Sequence, residues 1–271
     1  MKISVRAPAT TANLGSGFDC AAVALDLWNE VVVSDGGTPD RTHLGVRAFE
    51  LIDPADGLRF EFFDRIPRER GLGSSAAVIA LGLVAAAHVA GRDPDPEWLL
   101  GEGLRLEGHA DNLAAALAGG ACLTSVGRIH RVANGVPAVP IALVPGATVA
   151  TAEARAALPE QVPLGDAVFS VGRAALLGAG LVSHSEDVFA AALDDRLHEP
   201  YRAEHAPLLG EVREEPPTGA LGATISGSGP TVIVWASPHH AKECSVELSN
   251  RFPDVEVLWL STSPKGAELV S

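Results

Sequence analysis

The segment Arg70-Gly71-Leu72-Gly73-Ser74-Ser75-Ala76-Ala77 sets two glycines and two hydroxyls directly ahead of an alanine-rich stretch of helical composition. Glycine lets a backbone turn tightly and approach a ligand with no Cβ in the way, and a helix N-terminus aims free N–H groups and a partial positive charge at whatever sits there. Ser74 and Ser75 add hydroxyls that can cap the helix, bind phosphate oxygen or ligate Mg²⁺. The chemistry expected of Gly71, Leu72, Gly73, Ser74, Ser75 and Ala76 is therefore anion binding. The segment lacks the lysine of the Walker pattern and the third glycine of GxGxxG, and a structural turn with a serine N-cap would use the same residues.

Three further clusters carry functional groups. Glu107-Gly108-His109-Ala110-Asp111-Asn112 offers a histidine, carboxylates and an amide that can supply a general base and substrate hydrogen bonds, although Asp111 and Asn112 are also ordinary helix caps. Thr10 to Asp19, with Asn13 near its centre, reads as a polar, glycine-rich loop after the first strand, for which an Asx turn is the plain alternative. Gly222 to Pro230 has three glycines and two serines, more than a tight hairpin turn requires.

These groups need a scaffold, and the chain is long enough to supply one. Its 271 residues are 47% hydrophobic and 20% charged, which excludes a disordered or fibrous protein. The formal net charge of −14 repels polyanions, so nucleic acid is not an expected partner. Only Lys2, Lys242 and Lys265 are lysines, so an anionic ligand must be held by arginine, backbone N–H groups, helix termini or a metal. Cys20, Cys122 and Cys244 are odd in number and widely spaced, fitting neither a disulfide framework nor a zinc site. The N-terminus lacks an apolar core of signal-peptide type. The longest weakly polar run, Ala76 to Gly91, is too short for a membrane span. A soluble cytoplasmic protein is expected.

Ile3 to Ala7, Trp28 to Val33, Leu58 to Phe63 and Ala121 to Val126 have strand character, and helices are expected over Leu44–Ile52, from the glycine turn to Val89, from Asp95 to Leu106 and over Asn112–Ala118. A boundary falls near residue 140, between lobes 1–140 and 141–271. Beyond it, helices near Ala152–Leu158, Asp166–Leu177, Glu186–Leu197 and His239–Arg251 mix with strands Ile141–Val144, Ala223–Ile225, Thr231–Trp235 and Val255–Leu260. Strands and helices without strict alternation point to α+β lobes.

Together, APATTANLGSGFD, IPRERGLGSSAA, EGHADNLAAALAGG and GATISGSGPT resemble, in order and spacing, the four motifs of the small-molecule kinases that include galactokinase and the homoserine, mevalonate and phosphomevalonate kinases (GHMP), and the homoserine kinases most of all. The resemblance implies a two-lobed α+β kinase, its N-terminal nucleotide-binding lobe resembling ribosomal protein S5 and its C-terminal lobe ferredoxin-like, with a homodimer as a possible assembly. It implies ATP and Mg²⁺, with ATP phosphates on Gly71 to Ala76, and transfer to the side-chain hydroxyl of L-homoserine, feeding threonine synthesis. Alternative readings are another hydroxy amino acid or a specialised-metabolism alcohol, or a catalytically silent nucleotide-binding relative.

By the same resemblance, Asn13, Asp19, His109, Asp111 and Asn112 line the substrate, Thr151 and Arg155 of TAEAR stand near it, and Arg202 of HEPYR holds its carboxylate. A guanidinium can grip a carboxylate with two parallel hydrogen bonds. Asp111, His109 and Arg155 are the expected catalytic residues. Relatives place a Mg²⁺-binding glutamate four residues before the histidine of the third motif. Arg105 stands there in this chain, leaving Glu107 or Glu102 to join Ser75 at the metal, or the arginine to replace its charge.

Overall fold

A computed structural model describes residues 1–270. Two antiparallel sheets organise the chain. The first is built on β1 (Lys2–Asn13) and β2 (Gly17–Asp35), followed by α1 (Leu44–Phe49) and β3 (Leu58–Phe63). Then come α2 (Ser74–Val89), α3 (Pro96–Gly103), α4 (Ala110–Ala118), β4 (Ala121–Ser125) and β5 (Arg128–Ala133). The second lobe holds β6 (Val139–Val144), α5 (Thr151–Ala156), α6 (Leu164–Ser183), α7 (Glu186–Ala190), α8 (Glu199–Arg202), α9 (Pro207–Glu214), β7 (Ala220–Ile225), β8 (Val232–Ala236), α10 (Ala241–Arg251) and β9 (Glu256–Trp259). A short β10 (Glu268–Leu269) ends the chain and pairs with β1, so the tail crosses back to the first sheet.

The first sheet runs β10-β1-β2-β4-β5, with β3 also on β2. The second runs β7-β8-β6-β9. With helices between β6 and β7 and between β8 and β9, that order is the βαββαβ arrangement of a ferredoxin-like lobe. Pairing within both sheets is antiparallel throughout, as an α+β fold requires and a doubly wound one forbids.

Strand alternation divides the second sheet between two cores. Ala142, Val144, Ile233 and Trp235 face a large core shared with the first lobe, while Ile141, Leu143, Val232 and Val234 face a smaller one under α9 and α10. In the first lobe, α2 is buried from Ala76 to Ala87, which matches a helix apolar on every face. Its small alanines let neighbouring elements approach closely, and a Cβ on Gly82 would lie 2.1 Å from the Gly45 carbonyl oxygen.

Three sequence expectations are corrected. The segment Thr10–Asp19 is not an open loop, because β1 continues to Asn13 and β2 starts at Gly17, leaving only a tight turn between them. Thr10, Thr11 and Asn13 are buried there, with their polar groups used in hydrogen bonds. The helix expected over Glu186–Leu197 stops at Ala190. Finally, Ala76–Gly91 is not the strongest membrane-span candidate by composition: the 20-residue α6, although it holds Asp166 and Arg173, is long enough to span a membrane and reaches a mean hydropathy of 1.3 over an 18-residue window. Ser170, Leu177, Gly180 and Leu181 tie one side of α6 into the fold.

Candidate active site

A cleft of about 300 Å³ opens where the phosphate-type loop, the start of α4, the β1–β2 turn and the loop before β8 converge. Its floor is the N-terminus of α2, capped by the left-handed Gly73 at φ 67°. Here glycine is obligatory, since a Cβ on Gly73 would sit 1.8 Å from Thr10 Oγ1. Gly71, at φ +80°, is equally constrained: its Cβ would lie 2.1 Å from the Ser226 carbonyl oxygen. Ser226 Oγ donates to the Gly71 carbonyl at 2.6 Å, locking the loop to the C-terminal glycine segment. Gly71, Gly73, Ser74, Ser75 and Ala76 line the cleft. The Leu72 side chain does not; it is fully buried, and its carbonyl accepts from the Thr10 N–H at 3.1 Å.

The third motif delivers its side chains from the first turn of α4. Thr10 Oγ1 donates to Asn112 Oδ1 at 2.7 Å, which leaves the Asn112 amide anchored beside the cradle. Asp111 is 3% exposed. Burial raises its pKa against the opposing hydrogen bond from the Asn112 N–H at 2.6 Å. Oδ2 of Asp111 has no hydrogen-bond partner among the described residues. A carboxylate so placed is a stronger base than one in water.

Asp19 and Arg155 form a bidentate ion pair at the cleft wall, at 2.9 and 2.7 Å. Arg155 also donates to His109 Nδ1 at 3.3 Å. Its segment is drawn in by the cradle itself, because Arg70 donates to the Pro145 and Gly146 carbonyls at 2.9 Å and the Val149 N–H donates to the Glu69 carbonyl. Thr151 opens α5 on the cleft wall. Arg202 is buried, with Nε donating to the Ala154 carbonyl and Nη1 to the Gly227 carbonyl. Its Nη2 has no protein partner among the described residues. Burial, and next the charge of Arg155, pull the Arg202 pKa down, so the pair favours an anion between them.

Asn13 has a further task. In a left-handed conformation, its Nδ2 donates to the Gly227 carbonyl at 2.8 Å and its Oδ1 accepts from the Asp19 N–H at 3.0 Å. The amide therefore clamps the β1–β2 turn to the C-terminal glycine loop.

For a divalent cation, Ser75 and Glu107 form the fitting donor set. Glu107 Oε accepts from Ser75 Oγ at 3.1 Å, and both residues line the cleft. Burial raises the Glu107 pKa, a cost that a bound cation would offset. Glu102 instead pairs with Arg105 at 3.1 Å and neither lines the cleft. Mg²⁺ commonly uses one or two protein groups together with phosphate oxygens and water, which suits so small a set.

The sequence left some groups around the cleft unassigned. Gly227 and Ser228 line it, and Glu69 does so from a left-handed position. Phe18 and His198 lie behind the two arginines, their rings stacked at 4.9 Å. The only sequence signal for them is adjacency to Asp19 and Arg202.

Residues 43–120 match the GHMP kinases N terminal domain and residues 169–254 match GHMP kinases C terminal. A homoserine kinase of Desulfitobacterium hafniense is 36% identical over 267 residues, covering 90% of each chain. One of Streptomyces coelicolor is 40% identical over 261 residues, covering 86% of this chain and 84% of that one. The crystal structure of homoserine kinase from Cytophaga hutchinsonii superposes with a TM-score of 0.86 at 26% identity, covering 99% of this chain and 97% of that chain. A mevalonate kinase at 12% identity shares the fold, with a TM-score of 0.73. The chain, with its phosphate cradle and converging motifs, belongs to the GHMP kinases, the ATP-dependent small-molecule kinases.

Proposed function

We propose that the chain transfers the γ-phosphoryl group of ATP to the side-chain hydroxyl of L-homoserine, giving O-phospho-L-homoserine. The observation that carries this reading is the Asp19–Arg155 pair with Arg202 beside it. An α-amino acid brings one carboxylate and one ammonium. Two arginines and an aspartate at the cleft wall answer both charges, where an uncharged alcohol would leave the aspartate unused. The relatives named homoserine kinase at 36% and 40% identity support the same substrate.

In this reading the N-terminal lobe, residues 1–140, supplies the nucleotide cradle and residues 141–271 supply most of the substrate's charge partners. The backbone N–H groups of Gly71 to Ala76 hold the ATP phosphates. Ser75 and Glu107 hold Mg²⁺, which when bound neutralises charge on the phosphate oxygens. Arg155 and Arg202 grip the substrate carboxylate, Asp19 takes the ammonium, and Asn13, His109, Asn112 and Thr151 complete the wall. Asp111 accepts the proton of the attacking hydroxyl. Because phosphoryl transfer depends mostly on positioning and charge stabilisation, holding the alcohol in line is the larger part of the work.

ADP release from the purified chain with ATP and Mg²⁺, offered L-homoserine, L-threonine and L-serine separately, tests the reading. Turnover on homoserine that is lost in Ser75→Ala is expected. ATP binding without turnover on homoserine would overturn it.

A further inference from the structure

Behind Arg202 lies a buried polar chain that the reaction does not use directly. His198 is fully buried, and its Nε2 lies 2.9 Å from the Gly15 carbonyl oxygen. A carbonyl only accepts, so Nε2 carries the proton. Nδ1 is then a bare acceptor, and it faces Arg202 Nη1 at 3.4 Å. The backbone under this histidine is itself fixed, because Asp195 Oδ2 accepts from the N–H groups of Leu197, His198 and Glu199 at 2.9, 2.7 and 3.0 Å. The His198 ring stacks on Phe18, and the guanidinium carbons of Arg202 and Arg155 lie 5.3 and 5.6 Å from the same Phe18 ring.

We propose that His198 is a positioning residue for substrate recognition: as the neutral Nε2–H tautomer it ties the β1–β2 turn to Arg202 and holds that guanidinium so that Nη2 points at the substrate carboxylate. This rests on the reading above that Arg202 holds the carboxylate. The histidine is suited to the task because both of its nitrogens are used, one as donor and one as acceptor. A charged imidazolium would have no acceptor to offer Arg202 and would stand against its guanidinium, although the Asp195 carboxylate, 3.7 Å from Nε2, pulls the other way. Burial holds His198 neutral, with its pKa lowered to about 4. Phe18 supports the same geometry from the ring face, which is adjacent in sequence to Asp19, so the partners of both substrate charges share one platform.

Two substrates separate positioning from general damage: L-homoserine, and 3-aminopropan-1-ol, which lacks only the carboxylate. In His198→Phe, kcat/KM for homoserine is expected to fall about 10-fold, through KM, as charge-assisted hydrogen bonds of this kind warrant. Activity on 3-aminopropan-1-ol and the KM for ATP are expected to stay unchanged, and His198→Gln, which restores one donor and one acceptor, is expected to recover most of the loss. Equal losses on both substrates, or no change in homoserine KM, would overturn the proposal. Arg202→Ala is the control for the underlying reading: if it leaves the preference for homoserine intact, the carboxylate assignment itself fails, whereas a preference lost in Arg202→Ala but kept in His198→Phe sinks only the role of His198. Nitrogen-15 NMR of the wild-type chain, with His198→Gln as the assignment control, is expected to show a neutral imidazole protonated at Nε2 near pH 7; protonation at Nδ1 would overturn the proposal.

Discussion

Arg155 and Asp19 are paired with each other through both guanidinium nitrogens and both carboxylate oxygens, at 2.9 and 2.7 Å. Both side chains are only about one third exposed, so the pair sits at the cleft wall and is not free in solvent. An amino acid entering the cleft can exchange this internal pair for two external ones, its carboxylate meeting Arg155 and its ammonium meeting Asp19. Neither charge is then left uncompensated, which matters because an unpaired, partly buried charge is expensive.

That exchange makes a prediction about Asp19→Asn. Removing the charge should lower kcat/KM for L-homoserine by about 10- to 100-fold, the range for a charge-assisted hydrogen bond. With 4-hydroxybutanoate, which has the carboxylate and no ammonium, the loss should be much smaller. Steady-state kinetics on the two substrates checks it, and equal losses would detach Asp19 from the ammonium.

Glu107 and Ser75 make a second prediction, about the metal. Glu107→Gln should raise the Mg²⁺ concentration needed for half-maximal activity by about 10-fold or more, since it removes the only carboxylate beside the Ser75 hydroxyl among the described residues. Glu102→Gln should leave the Mg²⁺ dependence unchanged, because that carboxylate pairs with Arg105 outside the cleft. A Mg²⁺ titration of ADP release distinguishes the two, and the reverse ranking would place the metal at Glu102.

Gly71→Ala tests the contact between cradle and C-terminal glycine loop. The left-handed backbone alone costs a non-glycine residue about 1–2 kcal/mol. The Cβ also meets the Ser226 carbonyl oxygen at 2.1 Å, and that atom is backbone and has little room to give. Thermal unfolding should therefore shift down by several degrees and ATP affinity should fall. Unchanged melting would mean that the two loops separate at no cost.

Asp111→Asn couples activity to stability in opposite directions. Burial raises the Asp111 pKa above the ordinary carboxylate value, so the folded state binds this proton more tightly than the unfolded state does. The stability penalty of ionising it is absent below the unfolded value, grows as pH rises towards the raised value, and is complete above it. The amide variant keeps an acceptor for the Asn112 N–H and carries no charge. It should melt higher than the parent at pH 7, with the gap closing on acidification, while kcat falls by about 10²–10⁴-fold if the carboxylate takes the hydroxyl proton. Paired calorimetry and kinetics check both parts.

Much of this protein was legible in its sequence. The glycines and serines at 71–75 suited either an anion cradle or a serine-capped turn, and the family resemblance favoured the cradle. The four motifs, with TAEAR and HEPYR, named most of the residues that line the cleft, because each is a short run whose side chains stay close together. The second lobe's strands were legible as short apolar runs such as Ile141–Val144, while its ferredoxin-like arrangement was what the family resemblance implied.

What only the tertiary structure decided is which groups meet across long separations. Thr10–Asn13 looked like loop because its polarity is that of a loop, yet those residues are buried strand, with their hydrogen bonds made to residues about 100 to 215 positions away. Local propensity cannot register partners at that distance. The same holds for Glu107 over Glu102: both are acidic and close in sequence, and only packing turns one towards Ser75 and the other towards Arg105. His198 carried no signal of its own, since its role is set by the Gly15 carbonyl on one side and Arg202 on the other. Residue types fix which chemistry is available, and the close packing of two lobes around one cleft fixes which of those residues reach it.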